Sequence, residues 1–258
     1  MTNDTALLGL SSVSKHFGGL NALSGVSMHI HRGEIYGLIG PNGAGKTTLF
    51  NVITGLYQAS SGHFHFNGKQ YRGSKPHVLA KAGIARTFQN IRLFANLSAL
   101  ENVMIGRHVR TCAGVFGALL RDQSTRSEER AIADRARELL TYVGIGQPAH
   151  TLARQLSYGE QRRLEIARAL ATNPLLLALD EPAAGMNATE TSDLKFLLEK
   201  IRNEGITVFL IEHDVKLIMG LCDRVAVLDY GKKIADGAPN EVRQDPAVIA
   251  AYLGAGVE

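Results

Sequence analysis

Gly40-Pro41-Asn42-Gly43-Ala44-Gly45-Lys46-Thr47 sets glycines, a lysine and a hydroxyl at the spacing G-x-x-x-x-G-K-[ST]. Such residues cradle phosphate. Glycines let backbone N–H groups wrap an anion, the lysine reaches the β- and γ-phosphates of a nucleotide, and the Thr47 hydroxyl binds Mg²⁺. With Thr48, the stretch Gly40–Thr48 is the candidate pocket. Far downstream, Leu175-Leu176-Leu177-Ala178-Leu179-Asp180-Glu181 is an apolar run ending in two carboxylates. Phosphoryl transfer to water needs a cation on the phosphate oxygens and an oriented nucleophile, so Asp180 suits the magnesium shell and Glu181 the general base. An acidic pair that closes a strand ordinarily just meets solvent. The phosphate loop upstream is what turns this pair toward chemistry.

Between these two segments, Leu156-Ser157-Tyr158-Gly159-Glu160-Gln161 precedes a helix carrying Leu164, Ala167, Leu170 and Ala171 on one side. It reads as a capping box, with Ser157 accepting from the N3 amide and Glu160 reaching back. A helix N-terminus with a hydroxyl and a close-approach glycine is also an anion site.

These residues need scaffolding, and the sequence supplies it. Glu34–Ile39 is an apolar strand feeding the glycine loop, and Lys46–Thr54 a helix leaving it, which is the context a genuine phosphate loop requires. Leu8–Ile30 and His63–Phe66 read as strands, with Asn67-Gly68 as a hairpin turn. From Asn96 to Gln155 the pattern becomes helical. Ser98-Ala99-Leu100-Glu101 is a capping box, and Glu128–Val143 puts Ile132, Ala136, Leu139, Leu140 and Val143 on one face. Val109–Arg121 resists assignment. After Asn173-Pro174 strands and helices alternate: Leu175–Leu179, Ala188–Asn203, Thr207–Ile211, Val215–Leu221 and Arg224–Leu228, which implies parallel βαβ units. Tyr230-Gly231-Lys232 is a turn and Pro246–Leu253 a terminal helix.

The 258 residues, 45% hydrophobic and 20% charged, suit one large α/β unit with a smaller helical lobe. A net charge of +4 from interspersed signs is weak support for a nucleic-acid partner. Cys112 and Cys222 read as free thiols. The opening residues, with Asp4 and no basic flank, do not look like a secretory leader. No apolar run approaches the roughly 18–20 residues that span a bilayer. His29/His31 and His63/His65 merely alternate along strands without a zinc-ligand set.

Taken in order, the glycine loop, the Ser157–Gln161 segment with Gln161-Arg162-Arg163, and the Asp180-Glu181 pair resemble the ATP-binding cassette (ABC) ATPases. The resemblance implies ATP and Mg²⁺ as cofactors. It also implies a head-to-tail dimer, with two ATP molecules sandwiched between the P-loop of one subunit and the signature of the other. Ser157, Gly159 and Glu160 would then bind nucleotide in trans. Tyr158 and Glu160 depart from the commonest signature, which has Gly and Gln there. Gln89, in Arg86-Thr87-Phe88-Gln89-Asn90, resembles the Q-loop glutamine that touches metal and attacking water. His213, after Leu210-Ile211-Glu212, resembles the switch histidine on the γ-phosphate. Phe17, in Lys15-His16-Phe17-Gly18-Gly19, holds the position of the adenine-stacking aromatic. Ala183-Ala184-Gly185-Met186-Asn187 corresponds to the D-loop, with Asn where Asp is commoner; Asn can hydrogen-bond across a dimer but brings no charge.

The resemblance runs from Phe17 to the C-terminus and sharpens at His16–Leu20, Ala85–Asn90, Glu181–Asn187, Ile211–Met219 and the ending Ala250-Ala251-Tyr252-Leu253-Gly254. These are similar to the first ATPase subunit of bacterial high-affinity branched-chain amino-acid importers, as is the Gly/apolar/Arg stretch Val109–Arg126. Its implied fold is a P-loop α/β core over 7–95 and 156–236, with an antiparallel β subdomain, an inserted helical subdomain over 96–155 and a helical tail over 237–258. Its implied partners are two integral membrane permease subunits, a second ATPase subunit (identical or paralogous) and, indirectly, a periplasmic solute-binding protein, with no nucleic acid. The implied place is the cytoplasmic face of the bacterial inner membrane, with transport inward and Asn90–Phe94 and its neighbours up to Arg107 forming the docking groove. Urea, amides and other amino acids are substrates of related importers. The alternatives are the lipopolysaccharide-export ATPase, which shares the Tyr-Leu-Gly ending, and ABC ATPases that act on nucleic acid or ribosomes.

Overall fold

Long strands of alternating burial followed by short, fully buried ones call for two different sheets, and the computed structural model contains both. It describes residues 6–107, 123–146 and 149–254. The first sheet is antiparallel. Strand β1 (Leu8–Phe17) pairs with β2 (Leu20–Ile30) and with β4 (Ser61–Phe66), and β5 (Lys69–Tyr71) closes the order β2-β1-β4-β5. At the β4–β5 turn Asn67 and Gly68 have φ of 49° and 74°, the pair of positive values a two-residue type I′ hairpin demands.

The second sheet holds β3 (Ile35–Ile39), β6 (Ile84–Arg86), β7 (Leu176–Asp180), β8 (Thr207–Ile211), β9 (Arg224–Asp229) and β10 (Lys232–Gly237) in the order β10-β9-β3-β8-β7-β6. All pairs are parallel except β10–β9. Every residue of β3, β7 and β8 is buried, as a parallel sheet covered on both faces requires. Alternate residues go to opposite faces. Ile35, Leu177, Leu179, Val208, Leu210 and Val225 join the core under the helices, whereas Tyr36, Leu38, Leu176, Ala178, Phe209 and Ala226 pack with Phe50 and the antiparallel sheet. Strands β6 and β10 were not foreseen: three residues are too few to show a period, and β10 is largely half-exposed.

Around the sheet lie α1 (Lys46–Ile53), α2 (Pro76–Ala82), α3 (Ala99–Arg107), α4 (Gln123–Tyr142), α5 (Tyr158–Leu170), α6 (Ala188–Asn203), α7 (Val215–Leu221), α8 (Pro239–Gln244) and α9 (Pro246–Gly254). Ser98 caps α3, with Glu101 Oε2 accepting its N–H at 2.7 Å and Ser98 Oγ accepting from Glu101 N at 3.2 Å. The apolar face expected at Ile132–Val143 is buried, with α3 packed on both α4 and α5. The expectations for Val109–Arg121 lie outside the described residues, as does most of Val109–Arg126. Among the described residues no helix is long and apolar enough to cross a membrane.

The strand order decides where the chemistry collects. β3 ends in the glycine loop, β8 beside it ends at Ile211 before His213, and β7 next along ends at Asp180. All three open at one edge of the sheet, where parallel α/β folds bind ligands.

Candidate active site

The glycine loop is shaped by conformations that side chains resist. Gly40 has φ of 150°, and a Cβ there would lie 2.1 Å from Leu228 O; Gly45 has φ of 100°, and its Cβ would lie 2.6 Å from Ala22 O. Gly43, φ 78°, has nothing within 4 Å of a Cβ, so this part of the loop faces open space. Lys46 begins α1 directly behind the loop and is 5% exposed. Its ammonium donates to Gly40 O at 2.6 Å and Pro41 O at 2.9 Å. Burial lowers its pKa and the charge of Glu181 raises it. A buried cation held by neutral carbonyls, a helix N-terminus and glycine backbone together suit a polyphosphate. Asn42, Gly43, Ala44, Gly45, Lys46, Thr47 and Thr48 line a cavity of about 440 Å³ with Phe17, His213 and Tyr230.

Phe17 stands at the cavity rim, 41% exposed. Tyr57 meets it edge-on at 5.2 Å and the Lys15 ammonium lies 4.8 Å from its centroid. A partly exposed aromatic at the rim of the cavity suits stacking with a planar base.

Glu181 is the junction of the site. Its Oε2 accepts from Gln89 Nε2 at 2.9 Å and its Oε1 lies 2.7 Å from His213 Nε2. Its backbone is left-handed, φ 48°, and its N–H donates to Ile211 O at 2.9 Å. A carboxylate gripped at both oxygens still has lone pairs for a water proton. Behind it, Asp180 is 4% exposed; burial raises its pKa, and the Arg86 guanidinium is the first influence pulling it down.

The Ser157 segment forms the expected capping box: Glu160 N donates to Ser157 Oγ at 3.3 Å, and Glu160 Oε2 accepts from Ser157 N at 2.8 Å. None of Ser157, Gly159 or Glu160 lines the P-loop cavity of the same chain. Gly159 is buried against α6, where a Cβ would come within 2.6 Å of Glu190 Oε1. Asn187, read from the sequence as a group for bonding across a dimer, uses Oδ1 to cap α6, accepting from Glu190 N at 3.0 Å.

Several contributors escaped sequence reasoning. Arg86 lies between the Phe50 and Phe88 rings at 4.8 and 4.3 Å and donates to Thr54 Oγ1 at 2.7 Å; burial pushes its pKa down to about 10. Glu212, 4% exposed, accepts from Ala183 N at 2.8 Å and His213 N at 3.2 Å, tying the 183–187 loop to the histidine. Its buried, hydrogen-bonded role has no local signature. Arg162 is a third, buried beneath Gln89. Each lies inside a stretch that carries the family resemblance, Ala85–Asn90, Gln161–Arg163 or Ile211–Met219, and that was the one signal available for any of them.

A family model described as ABC transporter matches residues 23–184, and one described as branched-chain amino acid ATP-binding cassette transporter matches 232–258. The chain is 43% identical over 249 residues to the high-affinity branched-chain amino acid transport ATP-binding protein BraF of Pseudomonas aeruginosa, covering 96% of this chain and 98% of that one. It is 34% identical, over the same shares, to the lipopolysaccharide export system ATP-binding protein LptB of Escherichia coli. Among solved structures, the ADP conformation of MJ1267, an ATP-binding cassette of an ABC transporter, superposes with a TM-score of 0.84 at 32% identity, covering 97% of this chain and 99% of that one. The dimeric bacterial ABC transporter cassette MJ0796 gives 0.77 at 27%, covering 90% and 98%.

Proposed function

This chain belongs to the ABC transporter family of ATP-binding cassettes, and from that premise we propose that it hydrolyses ATP to drive inward transport of branched-chain amino acids through membrane permease subunits. The observation that carries the chemistry is the Glu181 carboxylate, bracketed by Gln89 at 2.9 Å and His213 at 2.7 Å beside a buried Lys46. The solute class rests on relatives: 43% identity to BraF against 34% to LptB favours amino-acid import over lipopolysaccharide export.

In this reading the loop Gly40–Thr48 holds the phosphates, with Lys46 as the principal cation, and Phe17 takes the adenine. Thr47, Asp180 and Gln89 would hold Mg²⁺, which neutralises charge on the phosphate oxygens. Bound MgATP supplies a γ-phosphoryl group whose transfer to water is the energy-yielding step. Glu181 accepts the water proton. Gln89 and His213 hold its two oxygens in place, so little reorganisation is left for the moment of reaction. Ser157, Gly159 and Glu160 present a helix N-terminus to the nucleotide of a second ATPase subunit, identical or paralogous, in a head-to-tail dimer.

The division into core (7–95 and 156–236), helical insert (96–155) and tail (237–258) belongs to the same proposal. Between core and insert lies a groove of about 390 Å³ lined by Leu56, His77, Phe88, Phe94, Ile105 and Arg168, among others. We assign it to a permease segment at the cytoplasmic face of the inner membrane. Of the sequence-expected docking stretch, Phe94, Ile105 and Gly106 line it.

Replacing Glu181→Gln tests both levels. The purified chain should retain ATP while turnover falls by about 10²–10⁴-fold, the usual contribution of a positioned base. Cells carrying only this variant should lose uptake of labelled leucine, isoleucine and valine. Unchanged hydrolysis removes Glu181 from the mechanism. Unchanged uptake of all three, in a strain without a redundant importer, refutes the solute class and leaves the ATPase assignment standing.

A further inference from the structure

Tyr158, which stands where the commonest signature has glycine, makes contacts the chemistry above does not use. Its hydroxyl accepts from Arg162 Nη2 at 2.9 Å, and its ring packs on Gly185, where a Cβ would come within 3.2 Å of Cε1. Arg162 is 4% exposed. Its Nη1 donates to Phe88 O at 2.8 Å, its Nη2 donates to Gln89 O, and Glu165 Oε2 lies 3.4 Å from Nη1. Glu165 in turn accepts from Arg92 N at 2.9 Å. The Gln89 side chain ends on Glu181. One buried guanidinium therefore joins the Ser157–Gly159 turn, through Tyr158, to both carbonyls that carry the Gln89 peptide.

We propose that Tyr158 is a positioning residue that acts through Arg162 to hold Gln89 against Glu181 of its own chain. The inference rests on the roles given above to Gln89 and Glu181. Arg162 is buried with its donors committed, so losing one acceptor leaves a charged donor unsatisfied and shifts the balance among the rest. Tyr158 itself is 44% exposed and sits beside the helix end offered to a second subunit. A surface pressing on that end must move Tyr158 with Arg162 attached or break the 2.9 Å bond. Either response is felt at Gln89. In a head-to-tail dimer this strut links occupation of the partner's nucleotide site to the proton acceptor in the chain's own site.

Tyr158→Phe removes only the hydroxyl and leaves a ring on Gly185. In the full chain kcat should fall about tenfold, the factor for one lost hydrogen bond to a charged group, while KM and ATP affinity stay within about twofold. In a Gln89→Ala background the same change should have no further effect, because the end of the relay is already gone. Arg162→Lys, which keeps charge but not the forked contacts, should show the same pair of results. An unchanged kcat in Tyr158→Phe overturns the proposal. So does a second tenfold loss in Gln89→Ala, which would mean that the hydroxyl acts independently of Gln89. Glu181→Gln separates the two levels: if it keeps turnover the underlying reading fails, whereas if it loses turnover and the Tyr158 and Gln89 effects multiply, the strut alone fails.

Discussion

At Glu181 the chain leaves a fully buried strand through a left-handed φ of 48°, a conformation that costs a non-glycine residue about 1–3 kcal/mol. Three contacts hold it there: its own N–H on Ile211 O, Gln89 on one carboxylate oxygen and His213 on the other. Strain of this kind persists only where the surroundings over-determine it, and here the surroundings are the residues assigned to catalysis. Lys46 shows the complementary economy. Its charge is buried, yet among the described residues no carboxylate forms an ion pair with it, and its donors rest on the loop's own carbonyls. A triphosphate brings the missing negative charge. Lys46→Ala should therefore weaken ATP binding by at least about a hundredfold, given about 3–5 kcal/mol for removing one partner of a buried charge pair. Titration calorimetry with ATP measures it directly, and wild-type affinity in the variant would show that the loop does not bind nucleotide in the manner described.

Among the elements, α3 and α5 meet unusually closely. A Cβ on Gly106 would lie 2.3 Å from Arg168 O, a backbone atom that cannot swing away. Helix propensity alone favours alanine over glycine by about 1 kcal/mol. The close contact reverses that preference, because forcing the helices apart costs about 1–3 kcal/mol. Gly106→Ala should lower the urea midpoint of the chain; a raised midpoint would show that the helices have room to separate. The same contact bears on function, since Gly106, Ile105 and Arg168 line the groove assigned to the permease. At the other end of α5 the Ser157–Glu160 box fixes the helix start and so sets where Tyr158 and Arg162 stand.

For the whole molecule the decisive fact is that, among the described residues, those of the Ser157 turn do not line the glycine-loop cavity of their own chain. The signature end is exposed at Ser157 and Tyr158, and the dimeric cassette MJ0796 has the same fold. In the proposed head-to-tail dimer a second subunit completes the site. Lys46→Ala and Ser157→Arg chains should each be inactive alone. Mixed, they should recover hydrolysis, because one of the two composite sites in the mixed dimer then has an intact loop and an intact signature. Continued inactivity under conditions where mixed dimers form would place the whole site within one chain.

Local sequence by itself determined the glycine loop, the capping boxes at Ser98 and Ser157, the Asn67-Gly68 hairpin and the βαβ alternation after Pro174. Each depends on a backbone preference or side-chain reach of a few residues, so spacing suffices to read it. The order of those motifs was enough to indicate the family. Only the tertiary structure decided which of them touch. Gln89 meets Glu181 across 92 positions and His213 meets it across 32, because β6, β7 and β8 lie side by side in the sheet. Nothing in a period-two burial pattern encodes that order. The same reason hid Arg86, Arg162 and Glu212, whose partners come from distant segments. Asn187 is different: it caps α6 through Glu190 three residues on, a spacing as local as that of the Ser157 box. A charged residue looks alike in sequence whether it meets water or a buried carbonyl. Which it meets depends on the packing of strands and helices far away along the chain.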